Sequence, residues 1–113
     1  MNQGTILIVD DNEDVLFALN LLLKPHFRKV KVSTTPDRIA QFMESDDPDV
    51  ILLDMNFSRD ASSGQEGMEV LHDILRRDAE AVVVMMTAYS DMSKAINAIK
   101  AGATDFVAKP WEN

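Results

Sequence analysis

Two adjacent carboxylates, Asp10 and Asp11, follow the aliphatic run "ILIV" in the stretch "ILIVDDNED", residues 6–14. Side by side they repel, so a chain that leaves an apolar strand on such a pair has a use for concentrated negative charge. Asp54 closes a second apolar run, "VILLD", Thr87 closes a third, "AVVVMMT", and Lys109 follows a fourth, "TDFVA". A hard divalent cation suits the acidic residues. Mg²⁺ takes oxygen ligands at roughly 2.0–2.1 Å in an octahedron, keeps several waters, and commonly shares one or two carboxylates with a phosphoryl oxygen. On that chemistry Asp10 and Asp11 form a metal cradle. Lys109, a compact point charge, pairs with Asp54 at rest or with an added phosphoryl group, and Thr87 donates a hydrogen bond to that group. Asp54, between cradle and lysine, is the carboxylate best placed to attack phosphorus, a reaction that asks little of the protein beyond positioning and charge neutralisation.

Each residue also has a plainer reading. Asp11 or Asn12 can cap a helix, Asp54 can sit in a solvated turn, Thr87 can be a strand-end hydroxyl and Lys109 a surface lysine. The elements that carry them weigh against coincidence. Short aliphatic or β-branched runs predict strands at Thr5–Asp10, Val30–Thr34, Val50–Asp54, Ala81–Thr87 and Thr104–Ala108. Three are nearly continuous in apolar residues, as strands covered on both faces are. Between them lie helical stripes: Val15, Leu16, Leu19, Leu22 and Leu23, ended by Pro25; Ile39, Ala40, Phe42 and Met43 behind the Thr35–Pro36 start; Met68, Leu71, Ile74 and Leu75; and Met92, Ala95, Ile96 and Ile99, closed by Gly102. The order βαβαβαβαβ calls for an α/β fold with a parallel sheet and right-handed crossovers. Ligands bind such sheets beyond the carboxyl ends of the strands, and that is the end to which the four strands bring these polar groups.

The 113 residues make one domain, with 46% hydrophobic and 27% charged residues and a net charge of −8. Nothing in that balance supplies a basic stripe for nucleic acid or an anionic membrane surface. No cysteine is present, which excludes a disulfide framework, a thiolate nucleophile and a Cys-ligated zinc. No signal peptide or membrane-spanning run is visible, so a soluble, cytoplasmic protein is expected. The irregular segment "NFSRDASSGQEG", residues 56–67, reads as a long loop. The chain stops soon after the fifth strand, where one more covering helix is expected, so a piece cut from a longer protein is anticipated. His26 and His72 read as surface or helix-flank residues.

In order and spacing, "ILIVDDNED", "VILLDM", "VMMTAYSD" and "AGATDFVAKP" resemble the receiver domain of two-component response regulators over nearly the whole chain. The resemblance implies a flavodoxin-like (CheY-like), doubly wound five-stranded parallel sheet of order 2-1-3-4-5. It implies a phosphoacceptor at Asp54 and Mg²⁺ held by Asp11, Asp54 and the backbone carbonyl of Asn56, with Asp10 acting mostly through a metal-bound water. Thr87 and Lys109 carry over as phosphoryl ligands, Phe106 as the aromatic that changes rotamer on activation, and the Lys109–Pro110 bond as cis. Tyr89, beside Thr87, is expected to shift with it. The implied partners are a sensor histidine kinase, a C-terminal output domain beyond this chain, and a second copy through the fourth helix (expected at Asp91–Ala101) and fifth strand. "MTAYSD" and "KPWEN" look most like the receivers of sigma-54-dependent AAA+ transcriptional activators. The loop after Asp54 departs from the family in being longer and lacking the usual proline, and the absent final helix is a second departure. Two rival classes fit less well. An aspartate-nucleophile phosphatase of the haloacid-dehalogenase type is expected to carry its nucleophile on the first strand, with a second aspartate two positions on, whereas position 56 is asparagine. An inert receiver-like module would have no need of Asp54, Thr87 and Lys109 together.

Overall fold

The computed structural model describes residues 4–54, 65–87 and 92–108. Five strands form one sheet: β1 (Thr5–Val9), β2 (Lys29–Ser33), β3 (Val50–Asp54), β4 (Val83–Thr87) and β5 (Asp105–Ala108). Their order is β2-β1-β3-β4-β5 and every pairing is parallel, as expected from the sequence. The aliphatic runs dictate this: β1 is buried at every residue, and β3 and β4 at all but one each. A strand with no polar face is stable only with cover on both sides.

Alternation along the strands gives two cores. Leu7, Val9, Ile51, Leu53, Val83 and Met85 face Ile39 of α2 (Ile39–Ser45), Leu71 and Ile74 of α3 (Gln65–Arg77), and Ala98 of α4 (Met92–Lys100). Ile6, Ile8, Leu52 and Met86 pack on Leu16 and Leu19 of α1 (Glu13–Leu23). Four α-helices therefore accompany the sheet among the described residues. On the α1 side Val107 remains 40% exposed and Leu22 62%, where a further helix would give the double cover expected. None of the described helices is long and apolar enough to cross a membrane.

Several boundaries differ from the sequence reading. β1 ends at Val9 rather than Asp10, although the Asp10 N–H still donates to the Ser33 carbonyl at 3.1 Å. β2 is displaced by one residue, to Lys29–Ser33, because Thr5 pairs with Lys29. β4 starts at Val83 rather than Ala81, since the first β3–β4 pair is Ile51 with Val83; β5 correspondingly starts at Asp105. Thr35 caps a 3₁₀ turn (Pro36–Arg38), accepting from the Asp37 N–H at 3.2 Å, and α2 begins only after it. Pro25 lies in a second such turn, Lys24–His26, directly after α1. α3 begins at Gln65, inside the segment read as loop, and the described part of α4 falls within the expected Asp91–Ala101. The remainder of the 56–67 loop lies outside the described residues.

α4 stops at a left-handed glycine. Gly102 has φ +120°, its N–H donates to the Ile99 carbonyl at 3.0 Å, and the Ala103 N–H reaches back to the Ala98 carbonyl at 3.0 Å. A Cβ at position 102 would lie 2.6 Å from Leu75 Cδ1. Only glycine meets both demands without strain.

Candidate functional site

The carboxyl ends of β1, β3 and β4 deliver three of the expected side chains to one edge. Val9 is level with Leu53 and Asp54 with Met86, so Asp10 comes beside Asp54, and Thr87 lies one residue further along the neighbouring strand. All three are buried: Asp10 and Thr87 are 0% exposed and Asp54 1%, while Asp11 is half-buried. One carboxylate oxygen from each of Asp10, Asp11 and Asp54 lies within 4.8 Å of the others.

The turn after β1 is built to hold this cluster. Asp10 Oδ1 accepts the Asn12 N–H at 2.9 Å, and the Asn12 side chain accepts the N–H groups of Asp14 at 2.8 Å and Val15 at 3.3 Å. Asn12, not Asp11, is thus the helix cap, which leaves Asp11 available to the cluster. The first turn of α1 brings the positive end of the helix dipole to the acidic side of the sheet. Ser33 was not singled out by sequence reasoning. It is buried, donates its hydroxyl to the Thr35 carbonyl at 2.7 Å, and gives its own carbonyl to Asp10. A small polar residue ending an otherwise alternating strand is the only signal that could have marked it.

The donor set fits a hard divalent cation: oxygen only, anionic and largely removed from water. Octahedral ligands at about 2.1 Å stand about 3 Å apart when adjacent and about 4 Å when opposite. Oxygens within 4.8 Å of one another can share one such ion, directly or through one of its waters. Without a cation their mutual repulsion in a poorly hydrated pocket is unfavourable. Phe106 on β5 is half-buried, level with Met85, and packs against the core that contains Met85 and Ala98. Asn56, Tyr89, Lys109 and the Lys109–Pro110 bond lie outside the described residues. His26 and His72 are exposed.

A five-stranded parallel sheet of this order, with buried aspartates gathered at its carboxyl edge, defines a class of signalling domain. The chain belongs to the response regulator receiver domain family, whose model matches residues 6–113. It is 28% identical over 112 residues to the DNA-binding transcriptional regulator NtrC of Escherichia coli K12, a match covering 99% of this chain and 23% of that one. To the chemotaxis protein CheY of Bacillus subtilis it is 30% identical over 108 residues, 95% of this chain and 86% of that protein. Among solved structures, it is 46% identical to the N-terminal signal receiver domain of a two-component system response regulator from Bacteroides fragilis. The TM-score is 0.87, with 98% of this chain and 88% of that chain covered. The chain thus spans about a quarter of the length of the NtrC regulators it matches. Receiver domains bind Mg²⁺ at an acidic pocket, and Asp10, Asp11 and Asp54 are the acidic cluster of this one.

Proposed function

We propose that this chain is the phosphorylation-dependent switch of a two-component system, with Asp54 as phosphoacceptor. The observation that carries the reading is the placement of Asp54: buried to 1% exposure at the end of β3, within 4.8 Å of two further carboxylates and one strand from the buried Thr87. A carboxylate oxygen of Asp54 attacks the phosphorus of a phosphohistidine on a sensor kinase. The new O–P bond forms as the P–N bond breaks, and the departing imidazole keeps the electron pair. Asp10, Asp11, Asp54 and the Asn56 carbonyl would hold Mg²⁺, which when bound neutralises charge on the transferring group. Thr87 donates its hydroxyl to the acquired phosphoryl group and Lys109 supplies a fixed positive charge to it.

Thr87 moving toward the phosphoryl group leaves space that Phe106 enters, with Tyr89 following. The face made by α4 and β5 then changes its affinity for a C-terminal output domain or a second copy. A coupling of about 1–3 kcal/mol is enough to alter partner affinity severalfold or more. The likeness to NtrC over 99% of this chain but 23% of that regulator supports residues 1–113 as the receiver portion of a longer cytoplasmic regulator. Its output would be transcription control of the sigma-54-dependent kind.

Acetyl phosphate with Mg²⁺ should add one phosphoryl group to the wild type, read as a mass shift, and none to Asp54→Asn. Full labelling of that variant would remove Asp54 from the role.

A further inference from the structure

The net charge of −8 hides a local reversal. Residues 15–36 contain Lys24, Arg28, Lys29 and Lys31 and no carboxylate. Lys29 and Lys31 lie on β2, an outer strand of the sheet among the described residues, and Arg28 directly precedes it. The Lys29 N–H donates to the Gly4 carbonyl at 3.3 Å, and the Ser33 carbonyl accepts from Asp10 at 3.1 Å. Odd-numbered residues of β2 thus turn their main-chain groups toward β1, and Val30 and Val32 turn theirs to the open edge.

The two sides of that edge differ in chemistry. On the α1 side, Phe17 is 67% exposed and Val32 40%, and the two help line a largely apolar hollow of about 300 Å³ with Glu13 at one end. The apolar residues of a partner, not its acidic ones, belong there. A second hollow of about 470 Å³ adjoins it through Asn20, lined by Phe27 and Val30 with Lys24 and Arg28 beside them. The side chains of Lys29 and Lys31 alternate to the opposite side, where Lys29 meets Asp46 at 3.4 Å. A strand added here would therefore place alternate side chains on largely apolar surface and the rest beside Lys31 and beside Lys29, which it would share with Asp46.

We propose that the open edge of β2 receives an extended segment of a partner protein in which acidic and apolar residues alternate. Main-chain bonds to Val30 and Val32 supply the pairing, and the period-two pattern supplies the choice of partner. A second copy of this chain does not fit, because pairing two β2 edges would set lysine against lysine. A strand that alternates acidic and apolar residues satisfies both sides. The inference does not depend on phosphorylation of Asp54.

The test is fluorescence anisotropy of a labelled peptide of about six residues alternating Glu and Val, the usual strand length, against the 113-residue chain. Saturable binding is expected at low salt, weakened as salt screens the charges. The same peptide with alternate amides N-methylated keeps its charge but cannot pair with the edge, and should lose roughly tenfold or more in affinity. Arg28→Glu with Lys31→Glu, checked for folding by circular dichroism, should lose a similar factor. Absence of saturable binding at low salt would overturn the proposal. So would equal binding of the N-methylated peptide to the wild type, which would reduce the effect to non-directional charge attraction.

Discussion

Replacing Asp54 by asparagine should make the metal-free fold more stable, although it removes the residue on which the proposed function turns. Asparagine keeps the size of the side chain and one acceptor oxygen while deleting a charge. Asp54 is 1% exposed, and one of its carboxylate oxygens lies within 4.8 Å of one from Asp10 and one from Asp11. At that separation and an effective dielectric of about 20, repulsion is on the order of 3 kcal/mol per pair. Water around the half-buried Asp11 reduces its share, and the positive charge expected of Lys109 offsets more, which leaves a net gain of about 1–2 kcal/mol. For a domain of this size that raises the melting temperature by roughly 5 °C or more. Thermal unfolding followed by circular dichroism in a chelator would measure it. Mg²⁺ should reverse the order: binding only the folded state, it adds about 2.7 kcal/mol to the wild type at a hundredfold excess over Kd and less to Asp54→Asn. A variant that melts below the wild type in chelator, or that gains as much from Mg²⁺, would refute the electrostatic account of the cluster.

Asn12→Ala should cost about 1 kcal/mol, the usual value of an N-cap, because it strips the acceptor from the Asp14 and Val15 N–H groups; chemical denaturation would read the loss. Gly102→Ala should cost about 1–2 kcal/mol through its positive φ, and more if Leu75 cannot yield to the new Cβ, measured the same way. Thr87→Ala should still accept phosphate from acetyl phosphate. With beryllofluoride and Mg²⁺, however, its NMR shifts should stay near the acidic cluster, whereas those of the wild type extend to Phe106 and α4.

Much of the fold was legible because the strands are so apolar. Runs such as Ile6–Val9 and Ile51–Leu53 can only be buried, and helical stripes between them leave little choice but a parallel sheet. The site was legible for a related reason: Asp10, Asp54 and Thr87 break those runs at their carboxyl ends, where a buried polar group would otherwise be unfavourable. Boundaries were less legible because partners set them. Nothing in "AVVVMMT" says that the ladder with β3 begins only at Val83, and that follows from Ile51 being the first residue of β3 to pair with it. The start of α3 was hidden by its polar first turn, Gln65 and Glu66, which reads as a continuation of the Ser/Gly-rich segment. The cationic edge was invisible to composition, since a net charge averages over the whole surface.

The parity of the strands has one further consequence. Thr87, Met85 and Phe106 share a side of the sheet with Ala98 of α4, while Met86, Leu52 and Ile8 belong to the side of α1. Side chains of opposite parity are separated by the hydrogen-bonded backbone and share no packing neighbours through it. The sheet therefore acts as an insulator between two helical layers. A rearrangement that starts at Thr87 has a short path to α4 and none of comparable directness to α1. Under the proposed switch, one layer would be repacked by a signal while the other holds its shape, so that a small domain would present a steady surface and a variable one at the same time.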